Sequence, residues 1–120
     1  MTIQNILNTL KNNINAKKKY AIFPYTKLTY SIFLLLRQYC IKYVYILNNW
    51  ILVYFSYKKK NLKIKILNLK NKKNIYTYIQ LKKLKNKHGI IFTSKGICSI
   101  EHALKLTQGG ILFCLIYYYN

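Results

Sequence analysis

Acidic side chains are almost missing from this sequence, in which Glu101 is the only carboxylate among 120 residues. One acid excludes paired-carboxylate chemistry, where one group gives a proton while a second takes one. Arginine occurs once, at Arg37, whereas Lys, Asn, Ile and Tyr abound, with 13 Tyr; an AT-rich coding bias is the simplest explanation of that balance. Cysteine is sparse, and Cys40, Cys98 and Cys114 are odd in number and form no C-x-x-C. That spacing offers neither a disulfide framework nor a zinc site, so the three read as small core residues in a reducing compartment. No P-loop pattern occurs. A long apolar run is missing too: a membrane span needs roughly 20 apolar residues, and the stretch from Ser31 to Tyr57 is divided by Arg37, Lys42 and Asn48-Asn49.

What the chain does have is 21 Lys+Arg against that one acid, a formal net charge of +20, together with 52% hydrophobic residues. Such a charge cannot be neutralised internally, and an external polyanion is implied. Self-repulsion opposes compaction, while release of counterions from a nucleic acid favours a complex, so the protein is expected to depend on its partner for stability. Its length allows one compact unit or two small lobes. The lysine runs at 17–19, 58–60 and 82–83, ordinarily solvated faces, are here assigned to the polyanion. Of the tyrosines near them, Tyr20, Tyr57, Tyr76 and Tyr78, only Tyr76 is retained as a stacking candidate, because strand tyrosines are more often half-buried packing.

Periodicity gives the elements. Thr2 can cap a helix with Ile3, Ile6, Leu7, Leu10 and Ile14 on one face. A basic loop from Ala16 to Lys19 leads to a strand from Tyr20 to Phe23, stopped by Pro24. Thr26 caps a second helix with a buried stripe of Leu28, Ile32, Leu35, Leu36 and Tyr39. Strands over Ile41–Leu47 and Trp50–Tyr57 flank an Asn-Asn turn as a hairpin, and Lys58 to Asn61 then break the pattern. Leu62, Ile64 and Ile66 alternate with Lys63 and Lys65 as in a half-buried strand. A polar loop over Lys70 to Asn74, a strand from Ile75 to Ile79, a basic helical turn at Leu81–Leu84, a strand at Ile90–Phe92, a helix from Ser99 to Leu106 and a strand from Ile111 to Tyr117 complete the reading. The result is α+β: an amino-terminal α-β-α-β-β lobe over residues 1–60 and a mainly β carboxyl-terminal lobe with a short helix over residues 61–120.

Two constellations carry chemistry. Thr93-Ser94-Lys95-Gly96 groups two hydroxyls, a cation and a glycine, a set suited to phosphate and ribose oxygens; taken alone it is also an ordinary surface turn. Cys98 and His102, four apart, could form a nucleophile pair or two metal ligands, but Glu101 is the only carboxylate to orient them and His88 the only other histidine. A small hydrolase built on them therefore ranks below a packed Cys and a surface His. No cofactor, metal or small-molecule substrate is expected.

The run from Gly89 to Ser99, followed by Ala103-Leu104-Lys105-Leu106 and Gly109-Gly110, resembles the carboxyl-terminal signature of small-subunit ribosomal protein eight. That signature reads G-I-x-x-x-S-T-S-K-G-(I/V)-(M)-(S/T), then a short A-x-x-L helix, Gly-Gly and a final hydrophobic strand. Asn5 to Asn12 looks like the family's D-M-L-T-R-I-R-N helix, and Pro24 to Leu28 like its P-x-S-K-L. The resemblance implies a noncatalytic component of the small ribosomal subunit that binds the central domain of its RNA, supports assembly and touches neighbouring ribosomal proteins. It nominates Thr93, Ser94, Lys95, Gly96 and Tyr76 as RNA-binding residues; Lys11, Asn12, Lys27, Lys72 and Lys73 are further expected RNA contacts. Three departures stand out: Asn71-Lys72 replaces a Pro-Gly, Phe92 stands where the first Ser would be, and Ile111 replaces the Glu after Gly-Gly. The last two remove polar groups, so the RNA site is expected to be reduced or altered. Met1-Thr2-Ile3-Gln4 enters a helical pattern at once, which with the composition leads to the expectation of synthesis inside an organelle. A mitochondrial matrix location on the mitoribosome is expected, with a plastid as the alternative. The competing function, resting on charge and the Ser31–Tyr57 stretch, is a basic membrane-surface protein of an organelle.

Overall fold

The computed structural model describes residues 2–57, 62–67 and 74–118. The chain divides into two compact units, one ending at Leu62 and the other beginning at Lys63. Among the described residues there are four helices and two sheets, an α+β arrangement.

In the first unit, α1 (Ile3–Asn15) begins where expected, because the Thr2 side chain accepts the amide of Asn5 and satisfies a donor that the helix start leaves free. Ile6, Leu7, Leu10 and Ile14 are its buried face. Strand β1 (Tyr20–Pro24) follows, then α2 (Lys27–Leu36), capped by Thr26. The buried face of α2 differs from expectation, consisting of Thr29, Ile32, Phe33 and Leu36, while Leu28 and Leu35 are only half-buried. The Thr26 hydroxyl donates to the Thr29 hydroxyl oxygen at 2.7 Å, so a polar side chain can be buried without an unpaired group. Phe33, one turn further on, packs on Phe23 of β1 with ring centroids 4.9 Å apart.

Strands β2 (Ile41–Leu47) and β3 (Trp50–Phe55) form an antiparallel hairpin across Asn48-Asn49, and the sheet order is β1-β3-β2. Asn48 takes φ +56°, a left-handed conformation that asparagine tolerates better than most residues. Ile51, Val53 and Phe55 of β3 are buried. On the other face, register aligns Tyr20, Tyr54 and Tyr43 in one row, and Ile22, Leu52 and Tyr45 in the next. A third row holds Pro24, Trp50 and Leu47. Lys42 is an extra residue in β2, since Ile41 pairs with Phe55 and Tyr43 with the adjacent Tyr54.

The second unit is a five-stranded sheet in the order β4-β8-β6-β7, with β5 paired to β8. Its strands are β4 (Leu62–Ile66), β5 (Ile75–Tyr76), β6 (Gly89–Thr93), β7 (Gly96–Ser99) and β8 (Gly110–Tyr118). β4 alternates as expected, with Ile64 buried and Lys63 and Lys65 exposed. The strand expected over Ile75–Ile79 stops at Tyr76 and gives way to helix α3 (Tyr78–Lys82). A capping box causes the switch: Gln80 donates its amide to the Thr77 hydroxyl at 3.2 Å, and Thr77 donates its own to the Gln80 side-chain oxygen at 2.9 Å. The Lys87 ammonium then donates to the carbonyls of Lys82 and Leu84, at 2.7 and 2.9 Å, where the helix has spare acceptors. Helix α4 (Ile100–Lys105) starts at Ser99, whose side chain accepts the amide of His102. Leu81, Ile91, Cys98, Ile100, Ala103, Leu112 and Leu115 form the core beneath these helices.

Candidate nucleic-acid interface

Strands β6 and β7 pair from Ile90↔Ser99 to Thr93↔Gly96, which leaves Ser94 and Lys95 as a two-residue turn at the hairpin tip. β7 itself was not expected, since Ile97 and Cys98 are too short a run to show alternation. Thr93 is 2% exposed. Its hydroxyl donates to the Gly96 carbonyl at 2.9 Å and accepts the Lys95 amide at 3.1 Å, so both sides of the turn are tied through one oxygen. Gly96 sits at φ +113° with open space where a Cβ would be, so its requirement is conformational and not steric. The consequence is that Ser94 and Lys95 are exposed on a turn fixed from below. The Ser94 hydroxyl donates to the side-chain oxygen of Gln108 at 3.1 Å, linking the tip to the segment before β8.

Gly109 and Gly110 are needed for closeness more than for turning. A Cβ on Gly110 would lie 2.1 Å from the Phe92 carbonyl oxygen, and one on Gly109 would lie 2.3 Å from that of Tyr76. Tyr76 pairs with Gly110. The glycines therefore bring β5 and the end of β6 against the two sides of β8, and Tyr76 and the 93–96 turn are gathered at one end of the sheet. The Tyr76 ring is half-buried and packs on the core cluster.

Phe92 and Ile111, the two apolar departures, are cross-strand partners, and Ile75 is the partner of Ile111 on its other side. They are 40%, 38% and 58% exposed, in that order, so an apolar row runs beside the turn. Phe92 stacks on Phe113, with centroids 6.2 Å apart. Of the other nominated residues, Lys11 is half-buried on α1, Asn12 is exposed there, and Lys27 is exposed at the start of α2. These three belong to the first unit. Lys72, Lys73 and the lysines at 58–60 lie outside the described residues. Sequence reasoning missed Gln108, which is 14 residues from Ser94 and carries no local signal.

Cys98 and His102 do not share a helical face. Cys98 precedes the Ser99 cap and lies buried in β7, whereas His102 is exposed on α4. Burial raises the Cys98 thiol above its ordinary pKa, partly offset by a hydrogen bond with Thr93, and pushes Cys114 up to about 12. Raised thiols are poor nucleophiles near neutrality. The Glu101 carboxylate lies 3.5 Å from the His88 ring, and both side chains reach solvent. Among the described residues no group of three or more His, Cys, Asp or Glu could hold a metal, and no helix is long and apolar enough to cross a membrane.

A strongly basic α+β chain with an exposed polar turn tied by a buried threonine has the charge and surface that suit a nucleic-acid-binding protein. Residues 1–117 match the family model described as Ribosomal protein S8. The chain belongs to that family, whose members are small-subunit ribosomal proteins that bind ribosomal RNA and have a structural, not an enzymatic, role. No individual curated protein matches the chain.

Proposed function

We propose that this protein binds the central domain of small-subunit ribosomal RNA and supports assembly of that region, using the 93–96 turn as its principal contact. The observation that carries the reading is the Thr93 arrangement, which commits one hydroxyl to shape and leaves Ser94, held by Gln108, and Lys95 exposed toward ribose, base-edge and phosphate oxygens. In this reading Thr93 and Gly96 act by forming the turn, and Tyr76 borders it. Lys11, Asn12, Lys27, Lys72 and Lys73 add charge or polar contacts elsewhere along the RNA. The apolar row of Ile75, Ile111 and Phe92 narrows the polar footprint. A mitochondrial matrix location, with a plastid as the alternative, belongs to the same proposal, and the AT-biased composition is what supports an organelle.

The test is a filter-binding titration against a central-domain RNA fragment at several salt concentrations. Ser94→Ala removes a geometric hydrogen bond and should weaken binding by about 1 to 3 kcal/mol at every salt concentration. Lys95→Ala removes a point charge, so its loss should be largest at low salt and the log-log salt slope should fall by about one phosphate's share, roughly 0.7 to 0.9. Wild-type binding by both variants would remove the turn from the interface.

A further inference from the structure

The outward face of the first unit's sheet has no polar rows. Tyr20, Tyr43, Tyr45 and Trp50 are 56%, 46%, 48% and 52% exposed, and Tyr54 in their midst is 37% exposed. The four tyrosine rings form a continuous surface: Tyr20 lies 5.9 Å from Tyr54, Tyr45 6.2 Å from Tyr54 in a T-shaped pair, and Tyr43 6.0 Å from Tyr45. Beside them Ile22, Leu47 and Trp50 line an apolar recess of about 360 Å³. An antiparallel sheet with one covered face ordinarily turns polar side chains to water. Coding bias does not account for the difference, because lysine is more abundant than tyrosine in this chain and fills the exposed positions of β4, Lys63 and Lys65. A contiguous apolar patch of this kind marks a binding surface.

Its surroundings indicate the occupant. Lys18 and Lys19 are exposed immediately before Tyr20, at the start of β1, and Lys17 lies over the Tyr57 ring at 4.9 Å. The bulged Lys42 enters at the start of β2, its ammonium 5.3 Å from the Tyr43 centroid. Aromatic faces that accept flat rings, rimmed by cations at the row of Tyr20, Tyr54 and Tyr43, match single-stranded nucleic acid, which presents one phosphate and one stackable base per nucleotide. We infer that the exposed face of the β1-β3-β2 sheet is a second RNA-binding surface, one that takes unpaired bases by stacking, separately from the turn at residues 93–96. The inference extends the RNA-binding reading to a new site and relies on that reading only for the class of partner.

Trp50 is the only tryptophan and lies on this face, so it reports directly. The full chain is titrated with a twelve-nucleotide oligouridine, and tryptophan emission is followed. Saturable quenching is expected, with much weaker quenching by an abasic oligomer of equal charge. Tyr45→Leu, which keeps the strand apolar, should weaken oligouridine binding about tenfold, while Tyr45→Phe, which keeps the ring, should recover most of that loss. Ser94→Ala and Lys95→Ala should leave the oligouridine titration as in wild type while weakening binding of central-domain RNA, so failure at one site is distinguishable from failure at the other. Equal quenching by the abasic oligomer, or equal losses in Tyr45→Leu and Tyr45→Phe, would overturn the inference. So would a blue shift of Trp50 with phosphatidylserine vesicles in the absence of oligouridine quenching, which would assign the face to a lipid surface.

Discussion

Thr93 shows how little of an interface needs to touch a ligand. Thr93→Val keeps the shape and removes both hydroxyl bonds, leaving the Gly96 carbonyl and the Lys95 amide to find other partners. A loss of about 1 to 3 kcal/mol in unfolding free energy is expected, measurable by urea denaturation. Gly96→Val meets no atom but is strained at φ +113°, so its cost is expected to fall mainly on RNA binding, with a modest loss of stability of about 1 to 3 kcal/mol. The Cys114 thiol gives a pH prediction. Its folded pKa of about 12 lies above the ordinary value of 9.0, so between these values the folded state binds more protons than the unfolded one and stability falls as pH rises. Cys114→Ala should show a shallower alkaline loss than wild type; identical pH profiles would contradict this.

At the scale of elements, the sequence was legible wherever local chemistry and burial agreed. Helix α1 follows from Thr2 and its apolar stripe, and β4 from its Lys/Ile alternation. The α2 face was misread because Thr29 counts as polar in a pattern, whereas its bond with Thr26 lets it be buried. The strand expected to reach Ile79 stops early because the Thr77-x-x-Gln80 capping box starts a helix, a signal that the sequence does contain. The exposed turn was found from its residue types. Its supports, Gln108 and the closeness enforced by Gly109 and Gly110, depend on strand pairing, which no local pattern displays. Gly110→Ala should therefore destabilise by more than a usual surface change, since its Cβ would meet the backbone of the neighbouring strand. Thermal unfolding would show this as a clearly lowered midpoint. The paired apolar residues Phe92 and Ile111 give a gain-of-function test: Phe92→Ser, which restores the family's polar residue beside the turn, should strengthen binding of central-domain RNA in the same filter assay. Weaker binding at unchanged stability would mean that the apolar row is itself a contact.

For the whole molecule, charge dominates. With a net charge of +20 and exposed apolar surface on both units, the isolated chain is expected to remain soluble only with RNA or at high salt, and light scattering on dilution into low salt would show it. A dispersed, folded monomer at low salt without RNA would contradict that expectation. The most direct test of the central claim is sedimentation of a cell lysate through a sucrose gradient, paired with carbonate extraction of the membranes. The protein is predicted to travel with the small ribosomal subunit and to be absent from the extracted membrane pellet. Retention in that pellet, with none in the subunit peak, would contradict the account.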